Sequence, residues 1–270
     1  MWFGADADGA DRADGVVGSE IISDHSHETG RPVLRGEFIR PAGVRTRMTD
    51  PQSEYSLDHD RFREFVATVH RTADDHDEIP ALLAALRDPF DDLLVADGWL
   101  PDLYRNLPPE DYDNASDMGG DIAQWLLYRQ PGKLSISSLV VPPGVETPVH
   151  DHLAWGLVGL YQGTQRETFF RRVDTGAADE GHAELERVAV REAGPGDCYE
   201  LIPPEGDIHS VTTTSDVPSV SIHVLGADIG CIPRHAFDTD ADLVEVFQSG
   251  YPNVECEDVD EHVHTHDEIL

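Results

Sequence analysis

Basic residues are scarce in this sequence of 270 residues, which carries 19 Lys and Arg against 53 Asp and Glu. Lys133 is the single lysine, and the formal net charge at pH 7 is -34. A polyanion of this kind repels phosphate backbones and anionic lipid, which disfavours nucleic acid and membrane surfaces as partners. So acidic a surface with so little lysine predicts a halophilic protein, whose self-repulsion is screened by high internal salt.

Cysteine is also scarce. Cys198, Cys231 and Cys256 are widely spaced and form no CxxC motif, which predicts free thiols in a reducing compartment. No run of about 18 apolar residues is present, so no transmembrane helix is predicted. The first residues lack a basic region followed by an apolar core, which disfavours a signal peptide. Together these absences predict a cytoplasmic protein.

The chain divides into four parts by composition. Residues 1–47 are rich in Gly, Asp and Ala without a sustained apolar period, and they are predicted to be a poorly ordered acidic extension, with Met48 as a candidate natural start. Residues 48–120 are predicted to be helices and a polar loop packed on a barrel. Residues 121–250 are predicted to form that barrel, and residues 251–270 a solvated acidic tail containing His262, His264 and His266.

Helical periodicity precedes the strands. Apolar residues recur at spacings of three and four at Phe62, Phe65, Val66 and Val69, and again at Ile79, Leu82, Leu83 and Leu86. Pro89 is predicted to end the second helix, and a third short helix is predicted over residues 91–97. A further short helix is predicted near the C-terminus from the spacing of Leu243, Val246 and Phe247.

Short apolar segments separated by Pro and Gly turns fill the middle of the chain. At least seven are predicted to be strands, over 123–128, 133–141, 155–161, 166–172, 185–191, 197–202, 208–213 and 217–225. Many short strands of this kind predict an all-β sandwich or barrel, here with a small N-terminal helical layer.

His150 and His152 are separated by one residue. On a strand both would point to one face, with Asp151 on the other, so the two imidazoles could share a metal ion. His209 follows a Pro-x-Gly turn and is the best candidate for a third ligand. A His-x-His alone is weak support for a metal site, and the second half-motif about sixty residues later strengthens it considerably.

The combination Gly144-x5-His150-x-His152 with Gly163, followed by Pro204-x-Gly206-x2-His209, resembles the two motifs of the cupin superfamily. This resemblance implies a jelly-roll barrel with a metal in its interior. The cupin pattern usually supplies a glutamate ligand shortly after the second histidine, but those positions are Gly156 and Leu157 here. Three neutral imidazoles would leave a divalent metal with its full charge, which favours an anionic co-ligand such as a thiolate.

The run His150-Asp151-His152-Leu153-Ala154-Trp155-Gly156-Leu157-Val158-Gly159 resembles the cysteine dioxygenase family, and is similar to its bacterial branch that includes 3-mercaptopropionate dioxygenases. The segments Gly206–His209 and Ser221–Gly230 extend this resemblance, which runs from about Gln124 to Asp238. It implies an Fe(II) enzyme that converts a small thiol to its sulfinate with dioxygen. It also implies that His150, His152 and His209 are the iron ligands.

Further roles follow from the same resemblance. Gln124 stands where the family places its substrate-carboxylate residue; the mammalian type has arginine there, and the mercaptopropionate branch has glutamine. Arg234 matches an arginine of that second branch, and Ser221 and His223 match an outer-sphere Ser-x-His-x-Tyr triad. The triad tyrosine is Leu225 here.

Gly156 replaces the cysteine that some members of the family cross-link to a tyrosine, so no cross-link is expected here. Tyr128, Tyr161 and Tyr199 are candidates to supply the missing phenol.

Two other functions stay open at this stage. One is a cupin isomerase, or a dioxygenase acting on a non-thiol substrate. Such an enzyme would be expected to have the glutamate ligand, and its absence here counts against this alternative. The other is a cupin that binds a metal or ligand without turnover, as a sensor does, and the missing tyrosine leaves room for it. Ser221 and His223 also allow a purely structural interpretation, as a buried polar pair whose members satisfy each other. The oligomeric state is left open.

The acidic excess predicts that stability depends on salt. In dilute buffer the repulsion between carboxylates is unscreened, so the melting temperature should rise between dilute buffer and molar potassium chloride. Thermal melts followed by circular dichroism across this range test the expectation. A melting temperature that does not change with salt would contradict it.

Overall fold

The computed structural model describes residues 53–109, 122–174 and 179–256, and all of them belong to one unit. The predictions for residues 1–47, for most of the polar loop before residue 121 and for the three tail histidines lie outside this described part. No helix within it is both long and apolar enough to cross a membrane.

The described residues form two α-helices, α1 (Asp60–Asp75) and α2 (Ile79–Leu94), and a 3-10 helix at Asp102–Arg105. They also form the strands β1 (Glu54–Tyr55), β2 (Ala123–Gln130), β3 (Leu134–Val141), β4 (Val149–His150), β5 (Gly156–Gln162), β6 (Gln165–Arg172), β7 (Gly181–His182), β8 (Leu185–Ala193), β9 (Cys198–Leu201), β10 (Ile208–Thr213), β11 (Ser219–Leu225), β12 (Arg234–Asp238) and β13 (Leu243–Phe247).

Two antiparallel sheets make up the barrel. In the described part of the chain, one sheet has six strands in the order β1-β2-β3-β11-β5-β9, and the other has seven in the order β7-β13-β12-β4-β10-β6-β8. Successive strands alternate repeatedly between the two sheets, as they do in a jelly roll. The predicted fold class, a cupin-type jelly roll with a small N-terminal helical layer, is confirmed.

The helical layer packs on the outer face of the six-stranded sheet. The predicted apolar stripe of α1 is buried at all four positions, and Phe90 and Leu94 of α2 lie against Gly159 on β5. The prediction that Pro89 ends the second helix is wrong, because α2 continues through it to Leu94. Phe90, Leu93 and Leu94 are buried in the same core, and this burial offsets the backbone hydrogen bond that a proline cannot donate.

Both faces of the six-stranded sheet are covered, so β3 does not alternate between buried and exposed residues. Every residue of β3 is buried, although the sequence alternates apolar residues with serines. Ser138 Oγ donates to the Tyr104 carbonyl on the helical side at 2.8 Å. On the barrel side, Gln124 Nε2 donates to Ser137 Oγ at 3.4 Å. The serines are therefore buried polar residues with partners, as burial requires.

The predicted helix near the C-terminus is wrong, since Leu243–Phe247 forms strand β13 and pairs with β12 along its whole length. Val244 is 1% exposed and Leu243 is 41% exposed, so adjacent side chains point to opposite sides. The helical spacing of Leu243, Val246 and Phe247 was coincidental. β-Branched Val244 and Val246 suit a strand, and β12 offers an edge for them to pair with.

The expectation of free cysteines is wrong for two of the three. Cys231 and Cys256 form a disulfide across a sequence separation of 25 residues. Only Cys198 is a free thiol in the described residues, and it is buried. Burial raises the pKa of Cys198 to about 12, helped by its hydrogen bond to Asp91. Cys231 and Cys256 are distant in sequence and belong to no spacing motif, so no sequence pattern indicated that they pair. Only the fold brings them together.

The contact between α2 and β5 predicts a sensitive position. A Cβ on Gly159 would lie 2.3 Å from Leu94 Cδ1 and 2.8 Å from Phe90 Cε1. Gly159→Ala should therefore lower the free energy of unfolding by about 1–3 kcal/mol, the usual cost of overpacking a core. Chemical denaturation measures this change. Gly194→Ala is the control, since its nearest neighbour would be 3.8 Å away; equal effects at the two sites would contradict the expectation.

Candidate metal centre

Three histidines meet inside the barrel. The ligand atoms of His150, His152 and His209 all lie within 4.8 Å of one another. His150 and His209 face each other directly across the β4–β10 ladder. His152 lies beyond the end of β4, and its ring centroid is 5.0 Å from each of the other two rings. The structure thus brings together the three predicted ligands, although β4 is too short for strand alternation to explain the position of His152.

A side-chain carboxylate explains it instead. Asp207 lies two residues before His209 and accepts hydrogen bonds from the backbone N–H groups of His152 and Leu153, at 3.0 and 3.1 Å. Leu153 adopts a positive φ of 56°, which bends the chain at this point. The loop that carries His152 is therefore fixed to the strand that carries His209.

Each imidazole has a partner for its outer nitrogen. His150 Nδ1 lies 2.9 Å from the Pro148 carbonyl oxygen, and His152 Nδ1 lies 3.2 Å from Asp207 Oδ1. His209 Nδ1 lies 3.2 Å from the hydroxyl oxygen of Tyr199. The carbonyl and carboxylate acceptors at His150 and His152 keep the proton on Nδ1, which leaves the Nε2 lone pairs of these two rings free to bind a metal. His209 has the same tautomer when the Tyr199 hydroxyl accepts.

Burial keeps these rings neutral. Desolvation lowers the pKa of His150 and of His152 well below the usual value of 6.5, and it lowers the pKa of His209 to about 4. The Nε2 atoms of His152 and His209 are buried without a hydrogen-bond partner among the described residues. Buried orphan nitrogens are costly. Neutral, converging imidazoles with orphan Nε2 atoms fit a metal ion such as Fe(II) or Zn(II).

No carboxylate completes the cluster in the part of the chain that the structure describes. Gly156 and Leu157 occupy the positions where a cupin glutamate is usual, and Leu157 is fully buried in the core of the helical layer. Two acidic residues lie close to the histidines in sequence, and both have other partners: Asp151 bonds to His235, and the oxygens of Asp207 accept from the loop at His152. The ligand set is therefore three neutral nitrogens.

A small cavity lies beside His150 and His152. Its polar lining is Gln124, His223 and Arg234, and its apolar lining is Leu139, Leu225 and Ile229. The cavity volume is about 10 Å³, which is room for about one water molecule. The structure thus brings Gln124, His223 and Arg234 to the histidines, and Ser221 reaches the cavity only through His223.

Arg234 is a buried cation held on several sides. Its Nη1 donates to the Asp151 carbonyl at 2.7 Å and its Nη2 donates to Ser249 Oγ at 2.8 Å. The guanidinium carbon lies 4.6 Å from the centre of the Phe247 ring. Burial lowers the pKa of Arg234 to about 10, so the group remains charged at neutral pH. A fixed cation beside the cavity suits an anionic ligand.

Ser221 and His223 form a hydrogen-bonded pair on β11. Ser221 Oγ lies 2.9 Å from His223 Nε2, and burial lowers the pKa of His223 to about 3. The pair satisfies itself, as its structural interpretation requires. His223 also faces the cavity, with its ring centroid 6.3 Å from that of His152, so it is in place to contact a ligand.

Leu225 and Gly156 are partners across the β11–β5 ladder. A Cβ on Gly156 would lie 2.3 Å from Leu225 Cδ2, so the leucine side chain fills the space over the glycine. Among the residues that the structure describes, no tyrosine lines the cavity in place of the missing one. Tyr128 bonds His70 at 2.6 Å, Tyr161 packs edge-on against Trp99, and Tyr199 contacts His209 from behind.

Sequence reasoning missed three residues that position the cluster. Asp207 and Tyr199 hold the Nδ1 atoms of two histidines. Asp151 fixes β12, because its Oδ1 accepts from the His235 backbone N–H at 2.8 Å and its Oδ2 lies 2.6 Å from His235 Nδ1. The position of Asp207, two residues before His209, could have indicated from the sequence that it supports the cluster. Tyr199 and His235 come from other strands, which only the fold can place.

No protein-family model matches the chain. Among solved structures, a cupin superfamily protein from Desulfitobacterium hafniense is 16% identical, with a TM-score of 0.29 over 46% of this chain and 98% of that one. A cupin-2 domain from Rhodospirillum rubrum is 14% identical, with a TM-score of 0.33 over 45% and 68%.

A cupin 2 conserved barrel domain protein from Salinispora arenicola is 20% identical, with a TM-score of 0.30 over 46% of this chain and 89% of that one. At such identities and scores, these similarities say nothing about metal or substrate. The cupin-type jelly roll is assigned from the order and pairing of this chain's own strands.

Metal binding should depend on all three histidines. His209→Ala should weaken the affinity for Fe(II) or Co(II) by roughly 100-fold or more, since the loss of an outer partner alone costs about 10- to 100-fold. Anaerobic calorimetry and metal analysis after desalting measure the change. His182→Ala, at an exposed histidine on β7, is the control. Full metal content in His209→Ala would refute this assignment.

Proposed function

We propose that this chain is a non-haem iron(II) thiol dioxygenase that converts a small carboxylated thiol to its sulfinate. The reaction adds both atoms of dioxygen to the thiol sulfur, so that RSH and O₂ give RSO₂H. The observation that carries the proposal is a buried cluster of three neutral imidazoles, with no carboxylate from the described residues, next to a fixed guanidinium. The resemblance of residues 150–159 to the cysteine dioxygenase family adds the choice of iron and of a thiol.

His150, His152 and His209 would hold the metal through Nε2. Bound Fe(II) supplies a Lewis acid that favours the deprotonated thiol and a redox centre for dioxygen. Because the three protein ligands are neutral, the site keeps a double positive charge for anionic partners. A further carboxylate ligand would cancel part of that charge, so its absence favours a thiolate substrate.

The other cavity residues have separate tasks in this proposal. Arg234 binds the substrate carboxylate, since its guanidinium stays charged and its position is set by Asp151 and Ser249. Gln124 offers an amide to the same carboxylate. The Ser221–His223 pair provides a polar wall, whereas Leu139, Leu225 and Ile229 exclude water. A thiol is larger than the cavity of about 10 Å³, so side chains of the apolar wall must rotate to admit it.

The preferred substrate follows from the charges. Gln124 is neutral, so the charge that neutralises a carboxylate comes from Arg234 alone. A cysteine would also bring its ammonium close to a dicationic metal and a buried arginine, which is unfavourable. 3-Mercaptopropionate lacks that ammonium and binds through sulfur and carboxylate only. We therefore assign 3-mercaptopropionate as the preferred thiol over cysteine.

A second function is a cupin that binds a metal or small ligand without oxidising a thiol. Two observations favour it, namely the leucine in place of the family's tyrosine and the narrow cavity. This class includes a sensor and an enzyme acting on another small molecule. A cytoplasmic location, a halophilic origin and the lack of nucleic-acid and membrane partners remain predictions from composition.

An oxygen electrode with a thiol panel separates these functions. With Fe(II)-loaded protein in molar salt, dioxygen uptake should equal sulfinate formation, and kcat/KM should be higher for 3-mercaptopropionate than for cysteine. Gln124→Arg should shift this ratio toward cysteine, since the resemblance places an arginine at this position in cysteine dioxygenases of the mammalian type. Gln130→Arg, at the far end of the same strand, is the matched control. Iron binding without uptake of dioxygen for any thiol would favour the second function.

A further inference from the structure

The disulfide between Cys231 and Cys256 encloses the part of the chain that carries Arg234. The sequence separation of 25 residues spans β12, β13 and the turn after it. We use the term C-terminal arm for residues 243–256. The arm begins at β13, which pairs with β12, and ends at Cys256, the last residue that the structure describes. The disulfide thus fixes the end of the arm at Gly230, whose carbonyl oxygen lies 3.5 Å from Cys256 Sγ, and Gly230 follows Ile229, which lines the cavity.

The arm supplies most of what holds Arg234. Ser249 accepts from its Nη2 at 2.8 Å, and the Phe247 ring lies 4.6 Å from its guanidinium carbon. Gly250 N–H donates to the Gly230 carbonyl at 2.9 Å, and the Tyr251 hydroxyl accepts from the Gly230 N–H at 2.9 Å. Loosening of the arm would therefore remove the Ser249 and Phe247 contacts and leave the hydrogen bond from Arg234 to the Asp151 carbonyl.

The two sulfurs have different surroundings. Cys256 is partly exposed, whereas Cys231 is 8% exposed. Arg129 Nη1 lies 3.7 Å from Cys231 Sγ, although Arg129 also contacts Glu54 and Asp228. An external thiolate reaches Cys256 more easily, and a nearby guanidinium stabilises the thiolate that leaves from Cys231. Attack at Cys256 is therefore favoured over attack at Cys231.

We propose that this disulfide is a thiol-exchange site. While it is intact it holds the C-terminal arm in place, and the arm in turn keeps the Arg234 side chain in one position. A small thiol attacks Cys256 Sγ, the S–S bond breaks, and Cys231 leaves as a thiolate beside Arg129. A second thiol then releases Cys256 from the mixed disulfide. The balance is one protein disulfide and two RSH giving two protein thiols and one RSSR. Its consequence for substrate binding rests on the proposed function, whose substrate is itself a small thiol.

Hydrogen–deuterium exchange on the full chain tests the fastening. In the double variant Cys231→Ser/Cys256→Ser, amides of residues 243–256 should exchange at least about tenfold faster than in the oxidised protein, whereas those of β3 and β11 should not change. Cys198→Ser, which removes the free cysteine, is the control. Unchanged exchange in the arm would overturn the proposal, and so would an equal increase throughout the barrel, since the disulfide would then be a general stabiliser.

The rate of reduction tests the exchange chemistry. Thiol release by 3-mercaptopropionate from metal-free protein, followed by alkylation and mass spectrometry, should be several-fold slower in Arg129→Gln than in Arg129→Lys, which keeps the charge. The trapped mixed disulfide should be on Cys256. A mixed disulfide on Cys231, or equal rates in the two variants, would overturn the assigned direction of attack.

Turnover separates this inference from the proposed function. In the double serine variant loaded with Fe(II), KM for 3-mercaptopropionate should rise about tenfold with a smaller change in kcat, because a looser arginine weakens binding of the carboxylate. An unchanged KM would overturn the link to Arg234. If no form of the protein consumes dioxygen, the proposed function fails, whereas the exchange measurements still decide whether the disulfide fastens the arm.

Discussion

The pairing of β4 with β10 is the contact on which the candidate site depends. It places His150 opposite His209, and Asp207, two residues before His209, fixes the loop of His152. A slip of one residue in this register would turn His209 to the other face of the sheet. Only two residues of β4 form the strand, so much of the register is specified by neighbours: Asp151 bonds to His235 on β12, and Thr147 bonds to Val211 on β10.

Burial then determines the chemistry of the cluster. The helical layer and the two sheets exclude water from the imidazoles, which makes their neutral forms the stable ones at physiological pH. The same exclusion of water raises the free-energy cost of the Nε2 atoms that lack a hydrogen-bond partner. Desolvation acts on Arg234 in the same direction and lowers its pKa to about 10. The group remains charged at neutral pH because Asp151, Ser249 and Phe247 compensate for part of the lost hydration. A neutral ligand set beside a buried cation is an arrangement that selects anions, whatever the metal.

The sequence predicted the parts of this structure that local patterns encode. Strand alternation, the apolar stripe of α1 and the histidine half-motifs all depend on residues close in the chain. Pro89 and residues 243–247 were mispredicted because burial against a distant surface overrode local preference. The disulfide, Tyr199 and Ser249 could not be foreseen, since each meets its partner only after the barrel has formed. The role of His152 was predicted for a reason that is only partly right, because a loop held by Asp207, and not a strand, positions it.

The packing of Leu225 over Gly156 has a consequence for how this site could change over generations. The two positions share one volume, so a side chain at 156 needs a smaller or differently placed residue at 225. A lineage acquiring a cysteine at 156 would therefore pass first through a substitution at 225, and the reverse order would cross a poorly folded intermediate. Pairs of this type impose an order on mutations.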